Sequence, residues 1–401
     1  MAAEHFIPLR KSELVRRLAA APDLSETDRC AFRQLCDLLG YRFHFDFHQR
    51  LESLKDVYAP FDADADTVIE HAAPLDRANR IDDFFARITE VLQRANYRRL
   101  SRETIAAALQ ESSQWSVRIH IDLDAFDRLE MYARGDKTST RTRRSWRTRF
   151  REARYDLPIY RRLVVVFRLK STYTADSDEE SSSVYLKMFK DIPQADVEML
   201  LPATRVKMSL LDHGRIVLPT ASGVVMTLYK VSKGALTLAF AGFYGMLAFL
   251  GLLGGTIGYG VKSFFGYLRA RDKYRLHLTQ HLYYQNLDNN AGVLCRLVDE
   301  AEEQECREAI LAYFLLWRRA GFAGWSDDEL DEAAELYLQN ETGIDVDFEV
   351  GDALAKLERL RLVRRLPNGN LRAVPIEDAL QRLDEDWDGF FRFNEGLPAA
   401  A

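Results

Sequence analysis

His277 and His281 stand four residues apart in HLTQH, a spacing that could set both imidazoles on one helix face, and Glu305 and Glu308 follow on the next helical stretch. Carboxylates and histidines from neighbouring bundle helices hold metals in this way, so the group is the candidate site of a metal-dependent hydrolase. HLTQH lacks the glutamate of HExxH, and two histidines do not make a site. A solvated pair with no metal and no cofactor is the plainer expectation. In YAPFDADADTVIEH, Asp62, Asp64 and Asp66 alternate as at the start of a calcium loop. That loop needs Gly at its sixth position and Glu at its twelfth, where Thr67 and Ala73 stand. Asp64, Asp66 and Val68 also spell the DxDxV of an aspartyl-phosphate site, but Pro60 occupies what should be an apolar strand. An acidic, helix-capping loop is expected instead. No Gly-rich phosphate loop, GxSxG elbow or dinucleotide fingerprint occurs in a suitable setting, so catalytic residues cannot be named.

Two further groups carry charge rather than chemistry. Gln304, Glu305 and Glu308 fall in a gap of the apolar stripe Leu294, Leu297, Val298, Ala301, Ala309, Ala312, Tyr313, Leu316. Facing inward they need partners, so a structural ion-pair network that docks this helix on arginines of the neighbouring α+β domain is expected. The stretch MYARGDKTSTRTRRSWRTRFREAR contains Arg141, Arg143, Arg144, Arg147, Arg149 and Arg151 with Trp146 and Phe150 interleaved. Such a patch suits anionic lipid or a nucleic-acid backbone, and with an apolar segment in the same chain it is expected to face the negatively charged lipid leaflet.

The elements that must position these groups follow from periodicity. Residues 1–114 read as a helical region, with Leu14, Leu18, Phe32, Leu35, Leu39, Phe84, Ile88 and Leu92 at three and four residue spacing. Residues 115–225 read as an α+β domain, because SVRIHIDL, RRLVVVFRL, SVYLKMF and TRVKMSL are strand-like and DIPQADVEMLLP is a short helix between Pro193 and Pro202. Residues 271–321 read as a long helical region capped by Asn290 and ended by Gly321. Residues 322–394 follow the order of a winged helix: a helix from a Ser326/Glu329 capping box, a second helix, and a hairpin with a type I′ turn at Asn368-Gly369. That module carries 8 Lys and Arg against 18 Asp and Glu, so phosphate contact by it is disfavoured.

Between these domains, residues 226–270 include a charge-free run over 235–261, longer than the ~20 residues that cross a bilayer. Basic residues flank both ends, which a helical hairpin turning near Gly251, Gly254 and Gly255 would satisfy and a single span would not. The four cysteines show no metal or disulfide spacing, so a reducing compartment is expected. The amino terminus lacks an apolar signal region, and the Arg, Ala, Leu and Asp content hints at a GC-rich bacterial genome. A net charge of −6 puts any nucleic-acid binding on a local patch.

LESLKDVYAPFDADADT, YRRLVVVFRLK, YLKMFKDIPQADVEMLLPATRVKMS and HLYYQNLDNNAGVLCRLVDEAEEQECREAILAY together resemble the domain-of-unknown-function family 3754, which includes the transmembrane protein 143 relatives of mitochondria. The resemblance spans 45–313 and implies a membrane protein with two predicted spans and no established activity. The whole sequence thus predicts an α+β, membrane-anchored multidomain protein: helical N-terminal region, mixed middle domain, apolar helical hairpin, and C-terminal helices with a winged-helix-like module. It is expected at a cell inner membrane with its folded domains in the cytoplasm, or at a mitochondrial membrane in a eukaryote. Expected partners are membrane lipid and other proteins, with nucleic acid disfavoured. The expected role is a scaffold or regulator rather than an enzyme, with the metal-dependent hydrolase as alternative.

Overall fold

The computed structural model describes residues 3–65, 74–105, 118–121, 123–144, 152–170, 183–194, 197, 200–202, 204–207, 229, 258, 265 and 284–390. Chain contacts gather these into two units, Met1–Leu100 with Phe126–Ile192 and Leu287–Ala401, and Ser101–Ala125 with Pro193–Asn286.

The first unit is organised by apolar helix faces. Helices α1 (Lys11–Ala19), α2 (Glu26–Tyr58) and α3 (Pro74–Arg94) are followed, late in the chain, by α4 (Asn290–Arg318). Ser25 caps α2 by accepting a hydrogen bond from the Asp28 N–H at 3.1 Å, which satisfies one of the four amides a helix start leaves free. Its Phe32, Leu35, Leu39, Phe43 and Phe47 are 0–1% exposed, one stripe at helical spacing, and α2 lays it against α4. Each such side chain contributes roughly 1.5–3 kcal/mol by leaving water. Helix α4 is enclosed on all sides over residues 304–316, all buried, and packs against α1, α2 and α3. Its N-cap is Asn289 rather than Asn290. Asn290 instead lies inside at φ +45, accepting from the Leu186 N–H at 3.1 Å and donating to Asp64.

A five-stranded sheet of order β1-β3-β4-β5-β7 belongs with these helices. Its strands are β1 (Arg98–Arg99), β3 (Phe126–Arg144), β4 (Glu152–Leu169), β5 (Val184–Pro193) and β7 (Asn286–Asn289). In the second unit, β2 (Arg118–Ile121) pairs antiparallel with β6 (Thr204–Lys207). The strand-like runs of the sequence correspond to β2, β4, β5 and β6, whereas β3 went unread. Between Pro193 and Pro202, the described residues Gln194, Val197 and Leu200 lie in 3-10 turns, not in an α-helix.

After α4, Trp325 makes an antiparallel bridge to Leu371. Then come α5 (Asp327–Thr342), α6 (Val350–Arg359), the hairpin β8 (Val363–Arg365) and β9 (Leu371–Ala373), and α7 (Ile376–Asp388). Along the chain these follow α4 as a short bridge, two helices, a hairpin and a last helix. The Ser326/Glu329 capping box is formed. The hairpin turn differs from the type I′ expectation: Leu366 accepts from Gly369 at 2.9 Å and donates to Asn370 at 2.7 Å, and Gly369 alone of the central residues has positive φ, +87. Pro367 at the second position fixes a negative φ, which gives a type I turn followed by a glycine bulge.

The membrane-anchored fold is corrected. Among the described residues no helix is long and apolar enough to cross a membrane. The two longest helices, α2 and α4, carry charged residues along their length, and no apolar hairpin is formed by described residues. The run 235–261 lies outside them apart from Gly258. The inner-membrane location, the lipid partner and the membrane-face role, all of which rested on that hairpin, therefore have no support from the fold.

Candidate functional site

The polar gap of α4 is the centre of the site. Gln304, Glu305 and Glu308 are 1–2% exposed, and each has partners. Arg94, on the last turn of α3, donates to Glu305 at 2.7 Å. Lys356 of α6 donates to Glu308 at 2.8 Å and lies 3.9 Å from Glu305. Gln304 donates to Glu308 at 2.7 Å and accepts from the Ile7 N–H at 3.2 Å. Asn96, in the left-handed region at φ +57, donates to the His5 carbonyl and to Glu308 at 3.3 Å. Arg307 donates to the carbonyls of Ile7 and Leu9 at 3.1 and 2.6 Å. The partners thus come from α3, α6 and the N-terminal segment. The arginines of the α+β region, Arg134 and Arg162, reach a different residue of α4, Glu300, at 2.8 and 3.8 Å, which also accepts from the Tyr97 hydroxyl at 2.7 Å.

Burial sets the electrostatics. It pushes the Glu308 carboxyl up from its ordinary range against the pull of Lys356, because removing the ion from water costs more than one ammonium returns. The Arg307 guanidinium is pushed down by the same desolvation. At the exposed edge, Glu90 is raised by burial but more than offset by hydrogen bonds from Arg94 and Arg50, and ends below its usual range.

Above this network opens a cleft of about 760 Å³. Its walls are the N-terminal segment (Glu4, His5), the end of α3 and β1 (Glu90, Arg94, Asn96, Tyr97, Arg98), β3 (Arg134, Asp136) and α6 (Glu349, Asp352, Lys356, Arg359). The N-terminal segment is fixed there by a parallel bridge of Glu4 to Val346, with N–H···O bonds Glu4 to Asp345 and Asp347 to Glu4 at 2.9 Å. Both charge signs line the cleft. Arg98 pairs with Asp136 at 2.6 Å and Arg359 with Asp46 at 3.3 Å, each arginine about half exposed, and such pairs exchange readily with a ligand. Glu349 and Asp352 make no side-chain hydrogen bond among the described residues. Burial pushes Glu349 up, and the neighbouring Glu308 and Asp352 add to the shift. Glu4 is likewise raised by burial.

The other sequence candidates do not join this site. His277 and His281 lie outside the described residues, and among those described no group of three His, Cys, Asp or Glu could hold a metal. The metal-dependent hydrolase is therefore withdrawn. Asp66, Thr67 and Ala73 are also outside, while Asp62 and Asp64 have structural uses: Asp62 accepts from the Asp64 N–H at 3.1 Å and Asp64 accepts from Asn290. Arg141, Arg143 and Arg144 lie in β3 opposite Tyr155, Ala153 and Glu152, and Arg147, Arg149 and Arg151 lie outside the described residues.

Sequence reasoning missed Arg94, Asn96 and Lys356. Two had local signals. Asn96 follows a helix end, where Asn is tolerated in the left-handed conformation. Lys356 interrupts the apolar face Ala353, Leu354, Leu357 of α6, and a lysine there must find a carboxylate.

No solved structure matches the chain. The sequence model of a family described as Protein of unknown function (DUF3754) matches residues 160–292, a narrower stretch than 45–313 and one that contains none of the cleft-lining residues. From the middle of β4 to the first turn of α4, then, the chain carries a DUF3754 domain.

Proposed function

We propose that the first unit is a binding module for a small polar ligand bearing both an anionic group and a cationic or hydrogen-bond-donating group. One observation carries this reading: a cleft of about 760 Å³ whose α6 wall offers the carboxylates of Glu349 and Asp352, while its other walls offer Arg98 and Arg359 in exchangeable exposed pairs. The volume falls within the ~300–1,000 Å³ range of small-molecule sites. Beneath the cleft Glu305 and Glu308 hold Arg94 and Lys356, so the groups left to meet a ligand are those of the walls. Since the walls come from four separated stretches of chain, an occupant would tie them together and stabilise the folded state by mass action.

The test is thermal unfolding of the full chain with a panel of amino acids, sugar phosphates and nucleotides at millimolar concentration. At least one is expected to raise Tm by several degrees, with the rise abolished in Glu349→Gln and in Arg98→Ala. A panel without effect, or a rise that survives both substitutions, overturns the reading.

A further inference from the structure

A second recess, of about 400 Å³, lies among α2, α3 and the end of α6, and shares Glu90 and Arg359 with the cleft as walls. Its polar residues fall on two helix faces. Asp46, Arg50 and Ser53 follow one another at four- and three-residue spacing on α2, and Arg87 and Glu90 stand three apart on α3. Two hydrogen bonds set these faces against each other, Arg50 Nη1 to Glu90 at 3.0 Å and Arg87 Nη1 to Ser53 Oγ at 2.7 Å. Arg359, the last residue of α6, donates to Asp46 at 3.3 Å. The buried Leu54 and Val91 add an apolar wall.

Four arginines and two carboxylates line this recess, in a chain whose net charge is −6. Arg42 is committed to the fold: it donates to Asp46 and, at 2.8 Å, to Asp386, lies over the Phe390 ring and is 14% exposed. The other three are not. A guanidinium has five N–H donors. Among the described residues Arg50 places one on Glu90 and Arg359 one on Asp46, while Arg87 uses Nε on Asp83 and Nη1 on Ser53. Both lining carboxylates are shared, Asp46 between Arg42 and Arg359 and Glu90 between Arg50 and Arg94. The side chains of Arg50, Arg87 and Arg359 are 35, 43 and 50% exposed, and pairs so exposed contribute only about 0–1 kcal/mol. Folding therefore uses little of what these three arginines offer.

The three form a row. Their anchoring points on α2 are Asp46 for Arg359, Arg50 itself and Ser53 for Arg87, a stretch of about 10 Å at ~1.5 Å per residue. We propose that this recess binds a diphosphate group, free or at the end of a nucleotide, with Arg359, Arg50 and Arg87 donating to successive phosphoryl oxygens. Guanidinium forks match phosphate oxygens in shape and charge, and the apolar wall lowers the local dielectric and strengthens each contact. A lone phosphate reaches only part of the row. The site takes its cations chiefly from α2 and α3, so it stands whether or not the cleft holds the polar ligand proposed above.

The experiment is isothermal titration of the full chain with pyrophosphate, ADP and orthophosphate. Pyrophosphate or ADP should bind about tenfold more tightly than orthophosphate, the gain of a further charge-assisted contact, and the tighter of the two shows whether the group is taken free or as an ester. Arg50→Ala combined with Arg87→Ala should weaken that binding by about tenfold or more, and Arg16→Ala on α1 should change nothing. Where the double variant folds poorly, phenylglyoxal labelling of the unaltered chain, read by mass spectrometry, decides. The bound anion should shield Arg50, Arg87 and Arg359 and leave Arg16, 74% exposed, as reactive as before. No binding at millimolar concentration, equal affinity for orthophosphate, or unshielded Arg50 and Arg87 overturns the proposal. Binding kept in the double variant but lost in Arg98→Ala also overturns it, by placing the anion in the cleft, and leaves the reading of the cleft intact.

Discussion

Residues 304–308 and 309–316 of α4 are buried to the same degree and are oppositely built. The first stretch holds Gln304, Glu305, Arg307 and Glu308, and the second holds only apolar and aromatic residues, Ala309 to Leu316. Apolar burial is non-directional, so the second half fixes how much surface leaves water, and neighbouring side chains can relax into a small change. Buried charge is directional. The first half specifies which segments meet α4, because among the described residues its carboxylates form their ion pairs with Arg94 on α3 and Lys356 on α6. One helix thus separates strength of attachment from choice of partner.

Breaking the polar half has the largest expected effect. Lys356→Ala leaves Glu308 with no cation at 2.8 Å and should cost about 3–5 kcal/mol in urea unfolding. Glu308→Gln combined with Lys356→Met should recover most of that loss, since the double change removes the uncompensated charge along with the pair. Equal losses in the single and double variants would show that side-chain packing, not charge, carries the contact. In the apolar half, Leu311→Ala should cost about 2–5 kcal/mol through lost burial and a cavity. Its cost should not vary between pH 5 and 8, whereas that of Lys356→Ala should grow with pH as Glu308 ionises. A pH-dependent Leu311→Ala loss would erase the distinction between the halves.

The smallest effect comes from a carboxylate that lacks such a partner. Asp331 on α5 has a buried Oδ1 without a hydrogen bond, and burial, with Glu335, Asp347 and Asp328 nearby, pushes its carboxyl up to about 6 from 3.8. A raised acid binds its proton more tightly in the folded than in the unfolded state. Its contribution to stability is therefore full below the unfolded value and is lost as pH rises through about 6. Asp331→Asn should raise Tm at pH 8, and the gain should shrink by pH 5. A constant gain across that range would remove the titration from the account.

What could be read in the sequence follows the range of the interaction. Apolar stripes on α2, α3 and α4 announce themselves because their period is local, and Phe32, Leu35, Phe84, Ile88 and Leu297 are all buried. Ser326 and Glu329 sit three apart and form the cap that this spacing describes. Strand β3 was not legible: GDKTSTRTRR has little apolar alternation, and it is extended because β4 pairs with it, a tertiary override of weak propensity. The partners of Glu305 and Glu308 were out of reach for the same reason. Arg94 lies 211 residues from Glu305, a separation on which periodicity has no bearing. The cleft was invisible because its walls come from four stretches that only folding assembles. Where a turn type was inferred from Asn368-Gly369 alone, the preceding Pro367 changed the loop length and with it the geometry.

The bridge between Glu4 and Val346 has a temporal meaning. At about 5–20 residues per second on the ribosome, a nascent chain holds its first segment without a mate for roughly half a minute, until residues some 340 positions later emerge. Closure of this unit by its N-terminal segment is thus a late event in biogenesis, coming after the helices from α1 to α5 have been made.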